Sequence, residues 1–167
     1  VAPDGAGGAF VCFIRSGPYH VYVQHVLSTG VLDPAWPSNG VQIQKDGTTF
    51  TRPRVFSDGE GGAMVFYVGT PYGINALLVT RADRYGVRRD DLFPSNGMVI
   101  ASGPASSHFD AIRTLDGLYG VVWADARTGS NEVYIDVLDA YGRTGAAPPG
   151  GAALSNNPSA DDRLPRL

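Results

Sequence analysis

Three stretches of the chain share one signature, an Asp-Gly turn that opens into an apolar segment. They read PDGAGGAFVCF at 3–13, SDGEGGAMVFY at 57–67 and LDGLYGVVW at 115–123. A second marker follows each of them: LSTG, DRYG and DAYG close at Gly30, Gly86 and Gly142, 56 residues apart in both steps. A third marker is WPSNGVQI at 36–43 and FPSNGMVI at 93–100, echoed weakly by PPGGAAL at 148–154. A period of about 56 residues, taken three times, nearly fills the 167 residues of the chain. Self-similarity of this kind confines a chain to folds built by repetition.

Each period reads as four strands. In the second, TFTRPRVFS leads through DGEGG into AMVFYVGT; a PYG turn, INALLVTRAD, a loop and MVIAS follow. Alternating apolar and polar residues, β-branched and aromatic enrichment, and Gly, Asn, Asp and Pro at the boundaries are strand signals. No segment carries a helical period. Asp-Gly suits a tight hairpin because the turn needs positive φ, which glycine adopts without steric penalty. Phe13, Tyr67 and Trp123 keep matched parity within their strands and are expected on one face. Tyr22, Leu78 and Tyr134 are their expected neighbours on the next strand, and Trp36 and Phe93 are expected to plug the space between repeats.

These markers divide one domain, 1–167, into repeats at about 1–48, 49–107 and 108–161. The remaining segment, 162–167, is expected to be a closing strand. Placed before the N-terminus it reads RLPRLVAPDGAGGAF, which matches the internal FTRPRVFSDGEGGAM.

Composition excludes several functions. Net charge is −3 with acids and bases interspersed, so no basic stripe exists to neutralise nucleic-acid phosphates. No apolar run is long enough for a membrane-spanning helix. Cys12 is the single cysteine, so no internal disulfide forms, and no Cys/His cluster has zinc spacing. DDLFPSNG and SADD lack the alternating oxygen ligands of a calcium loop. Neither a metal nor a cofactor is expected.

The pattern of D-G-x-G-G, an apolar strand ending in an aromatic, D-x-R, a tyrosine-bearing strand, D-x-x-G and W-x-x-N-G resembles a propeller-type repeat of large secreted bacterial proteins. WADARTGSNEVYIDVLDAYG at 123–142 carries the middle of it as Trp123, Asp125, Arg127, Tyr134, Asp139 and Gly142. The resemblance to sialidase-type propellers is weaker, because SDGEGGAM does not match their S-x-D-x-G-x-x-W turn. The resemblance implies an all-β fold of four-stranded antiparallel blades in a secreted or cell-surface protein. Three blades do not close the usual ring of four to eight. A six-bladed ring from two chains, or the remainder of a longer propeller chain, is therefore expected. A β-trefoil or β-prism is the alternative, since both use three four-stranded repeats.

In a propeller, ligands commonly meet the rim opposite the Asp-Gly turns, on loops held by a rigid scaffold. That rim offers Tyr19, His20, Tyr72, His108, Arg127, Asn131 and Asp161. Aromatic rings with amides and carboxylates suit sugars, by stacking and by fixing hydroxyls, and they also suit a protein partner. The expected function is a non-catalytic binding or interaction module with a glycan or protein ligand. The alternative is part of a propeller enzyme acting on polysaccharide, with Asp161 paired with Asp46 or Asp125. Ser107 and His108 are adjacent but have no recognisable nucleophile context, so no catalytic residue is assigned.

Overall fold

The computed structural model describes residues 1–17, 19–44, 51–70, 73–103, 108–143, 145, 150–156, 162–163 and 165–167, with only the backbone of 51–52. The described residues form twelve strands and no α-helix. The first sheet is β1 (Ala2–Pro3), β2 (Ala9–Arg15), β3 (His20–Val26) and β4 (Val41–Gln42). The second is β5 (Thr51–Ser57), β6 (Ala63–Gly69), β7 (Ala76–Ala82) and β8 (Met98–Ser102). The third is β9 (Phe109–Arg113), β10 (Tyr119–Asp125), β11 (Glu132–Leu138) and β12 (Ala152–Ala153). Each sheet is a four-stranded antiparallel meander with its strands side by side in chain order. The all-β, four-strands-per-period reading holds.

Register confirms the aromatic pattern. Phe13 pairs with Tyr22, Tyr67 with Leu78, and Trp123 with Tyr134. Tyr67 and Trp123 are fully buried, whereas Phe13 is half-buried. Burial differs because the sheets stack. One core joins Phe10, Val21 and Val23 of the first sheet to Val65, Tyr67 and Leu78 of the second. Another joins Met64, Phe66 and Val79 of the second sheet to Val121, Trp123 and Tyr134 of the third. The second sheet is thus covered on both faces, which is why AMVFYVG and ALLVTRA are buried throughout. On the first sheet, Phe13, Val11 and Val26 line an open depression of about 340 Å³.

The glycine marker with the 56-residue spacing is an inter-repeat contact. Trp36 is 4% exposed, and its Nε1 donates to the carbonyl of Arg84 at 3.0 Å. A Cβ on Gly86 would stand 3.0 Å from the Trp36 ring and 2.8 Å from Pro37. Phe93 is fully buried and meets Gly142 in the same way, with its ring 2.8 Å from a Cβ built there. Each plug therefore seals onto the following repeat. The equivalent Gly30 meets nothing within 4 Å.

The third marker is a clamp. The carbonyl before its glycine accepts from Arg15 at Asn39 (2.9 Å), from the Tyr67 hydroxyl at Asn96 (2.7 Å) and from Arg127 at Gly150 (2.8 Å). Arg15 and Arg127 also stack on their strand neighbours, 4.1 Å from the Tyr22 centroid and 3.9 Å from that of Tyr134. Different side chains thus tie the outer loop to the second strand in all three repeats.

Candidate functional site

The Asp-Gly turns are five-residue loops held by a side chain rather than two-residue hairpins. Asp4 N–H donates to Gly8 O at 3.1 Å, and its Oδ1 accepts from Ala6 and Gly8 N–H at 2.7 and 2.9 Å. Asp58 repeats this, accepting from Glu60 and Gly62 N–H at 2.7 and 2.8 Å. Glycines take the left-handed positions, with φ of 83° at Gly59 and 90° at Gly61. The second carboxylate oxygen faces a side-chain nitrogen from the next strand but one. Asp4 Oδ2 meets His25 Nε2 at 3.0 Å, and Asp58 Oδ2 accepts from Arg81 Nε at 2.8 Å. The His25 bond holds the Asp4 carboxyl below its ordinary range, with the two backbone donors adding to it and burial opposing. In the third repeat Thr114 Oγ1 takes the place of the aspartate, accepting from Leu118 N–H at 3.0 Å while donating to Asp116 Oδ1.

At this end the inner strands β1, β5 and β9 converge on a cleft of about 720 Å³. Ala2, Pro3, Phe56 and Ile112 give it apolar walls, and Asp4, Ser57 and Arg113 its polar groups. Ser57 is fixed from several sides. Its Oγ accepts from Gly59 N–H at 3.2 Å and donates to Asp4 O at 3.4 Å, while its carbonyl accepts from the Tyr119 hydroxyl at 2.8 Å. Burial pushes the Tyr119 hydroxyl above its ordinary pKa, and the neighbouring Arg113 guanidinium opposes this.

The opposite rim is where the sequence placed the candidate ligand residues. Tyr19 is exposed there, with φ of 48°. His20 Nδ1 lies 3.1 Å from Gln44 Nε2, a contact within the first repeat. Arg127 binds Asp125 with a distance of 2.8 Å from Nε to Oδ1, in addition to its Gly150 and Tyr134 contacts. The backbone carbonyl of His108 accepts from Ala124 N–H at 3.2 Å, and that of Asn131 from Asp162 N–H at 2.8 Å. Tyr72 and Asp161 lie outside the described residues, as do Asp46 and Ser107. Asp125 is fully buried. Burial pushes its carboxyl up, but bonds from Arg127 and Trp123 Nε1 outweigh that and hold it low. The contacts described for His20 and Arg127 lie within their own repeats and tie loops to strands, while Asn131 holds Asp162 of the segment that follows the third repeat.

Sequence reasoning did not find the cleft residues. Pro3, Ser57 and Arg113 are equivalent, each pairing with the first residue of the next strand: Ala9, Ala63 and Tyr119. A charged residue in the third copy, where the others carry proline and serine, is the signal that could have marked Arg113. Among the described residues no cluster of three His, Cys, Asp or Glu side chains is placed to hold a metal.

No protein-family model matches the chain, and no curated protein or solved structure is significantly similar to it.

Proposed function

We propose that this chain is a non-catalytic binding module, built as propeller-type blades and presenting a ligand cleft at the rim of the Asp-Gly turns. The carrying observation is the 720 Å³ cleft at the convergence of all three repeats, with apolar walls beside a few fixed polar groups. Such a lining suits an oligosaccharide, whose ring faces are apolar and whose hydroxyls need oriented partners. A secreted or cell-surface setting accords with the sequence resemblance. Two copies completing a six-bladed ring accord with the half-buried Phe13 face, whose equivalents at Tyr67 and Trp123 are covered by a neighbouring sheet. Sedimentation of the intact protein at twice the chain mass supports the ring.

The test of function is titration of the intact protein with a panel of defined oligosaccharides, with product analysis by mass spectrometry. Retention without cleavage supports the module, and Ser57→Leu, which fills the cleft, should abolish it. Bond cleavage would overturn the reading in favour of a polysaccharide-degrading enzyme.

A further inference from the structure

Among the described residues, the cleft holds a guanidinium that no carboxylate faces. Arg54, Arg81 and Arg127 each lie on a carboxylate, at Asp110, Asp58 and Asp125. Arg113 lies on none among the described residues, and its Nε is buried without a hydrogen-bond partner. Its Nη2 stands 2.8 Å from a Cβ built on Gly59 and 3.3 Å from one built on Gly117. The guanidinium is therefore threaded between turns of the second and third repeats, at a point where only glycine leaves it room. A buried donor left unpaired costs about 1–3 kcal/mol, more where the group is charged. Such a site gains from any ligand that satisfies it.

The geometry points to a carboxylate-binding subsite at Arg113, and on the cleft reading above it assigns the ligand as an oligosaccharide of hexuronic acid. A guanidinium presents parallel donors that match a carboxylate in a two-point bond, whereas a neutral hydroxyl meets only one of them. The carboxylate in the cleft wall does not oppose an incoming anion strongly. Asp4 is already bound by His25 at 3.0 Å and by two backbone N–H groups. Asp58, in the neighbouring turn, is likewise held by Arg81 at 2.8 Å. Ile112, Phe56 and Pro3 line the same space and offer apolar surface to the ring of the sugar. Gly5, Gly59 and Gly61 also line the cleft and bring no side chain to it at those positions.

The experiment is calorimetric titration of the intact protein with three probes: oligogalacturonate, the same oligomer fully methyl-esterified, and a neutral oligogalactose of equal length. The free acid should bind at least tenfold more tightly than both neutral probes, and the advantage should shrink as salt rises. Arg113→Gln, with folding verified by its melting curve, should bring the free acid down to the affinity of its ester. Equal affinity for acid and ester in the native protein overturns the carboxylate subsite but leaves the oligosaccharide cleft standing. Binding of none of the three overturns both. Tighter binding of a short peptide with a free C-terminus than of oligogalacturonate also overturns the sugar assignment. The ester comparison uses unaltered protein, so the proposal stays testable if Arg113→Gln does not fold.

Discussion

His25 and Arg81 occupy the same place in consecutive repeats, pairing with Phe10 and Met64, and each puts a nitrogen on its turn aspartate, at 3.0 Å for Asp4 and 2.8 Å for Asp58. His25 has a second carboxylate, Asp33, 2.8 Å from Nδ1, so its ring ties the Asp4 turn to the segment that follows its own strand, at the same end of the sheet. Arg81 does the same within one turn by reaching Glu60 at 2.5 Å. In the third repeat Val137 and Thr114 stand in these places, and both members of the pair are gone together.

Removing the carboxylate from the second pair should therefore be severe. Arg81 is 2% exposed, and Asp58→Ala strands it without its buried partner. Losing one side of a buried pair costs about 3–5 kcal/mol. Urea unfolding should show that loss, while the double variant Asp58→Thr with Arg81→Val, which copies the third repeat, should recover much of it. A double variant no more stable than Asp58→Ala would refute the pairing argument.

The turn and strand-end carboxylates set the acid limb of stability. Asp4, Asp110 and Asp125 are all held below the ordinary aspartate range when folded. Their contribution is complete above the unfolded value, near about 3.9, and is lost as pH falls through the folded values. Melting midpoints should hold through mild acid and fall below about pH 4. Asp4→Asn should flatten that fall.

Asp136 runs the other way. It is 2% exposed on β11, and burial raises its pKa, opposed by the Val137 N–H donor. Its neutral form is favoured in the folded state, so its contribution is full below the unfolded value and is lost as pH rises through the folded one. Asp136→Asn should raise the melting midpoint at pH 7 and leave it almost unchanged at pH 3. An equal shift at both would show that charge plays no part.

The plug contacts rank three glycine substitutions. Gly30→Ala meets only the strain of φ at 82°, about 1 kcal/mol. Gly86→Ala adds a clash with the rigid Trp36 and Pro37 rings, and Gly142→Ala one with Phe93 and Met98. Thermal unfolding should place Gly30→Ala clearly above the other two. Trp123→Ala, which empties a fully buried site and releases the bond to Asp125, should cost about 3–5 kcal/mol.

Much of this architecture was legible because strand alternation and turn glycines are local signals that survive repetition. The spacing of Gly30, Gly86 and Gly142 located one turn per repeat, although only the structure explains two of them by an aromatic from the preceding repeat. Asp-Gly points to a tight two-residue hairpin, whereas the aspartate closes a five-residue loop with its carboxylate. Its nitrogen partner lies 21 residues along the chain in the first repeat (His25) and 23 in the second (Arg81), beyond any local pattern. In LDGLYGVVW the loop closes at Leu118, the equivalent of Gly8 and Gly62, two residues before Gly120. The Asp125 partner of Arg127 is two residues away and legible in the D-x-R pattern, whereas its Gly150 partner, 23 residues on, shows only once the loop folds back. The cleft escaped because it is assembled from three strand ends far apart in sequence, whose only shared property is the position just before the turn.

The seal that each repeat places on its successor also has a kinetic meaning. Trp36 cannot find Gly86, nor Phe93 find Gly142, until the following sheet has formed, so neighbouring sheets are coupled pairwise in the manner of a linear chain of units. The middle unit has two such couplings and each outer unit has one. Amide protons of β6 and β7 are therefore expected to exchange last, with the first and third sheets opening ahead of them. Local motion would then be largest at the sheets that frame the cleft and smallest at the sheet that anchors it.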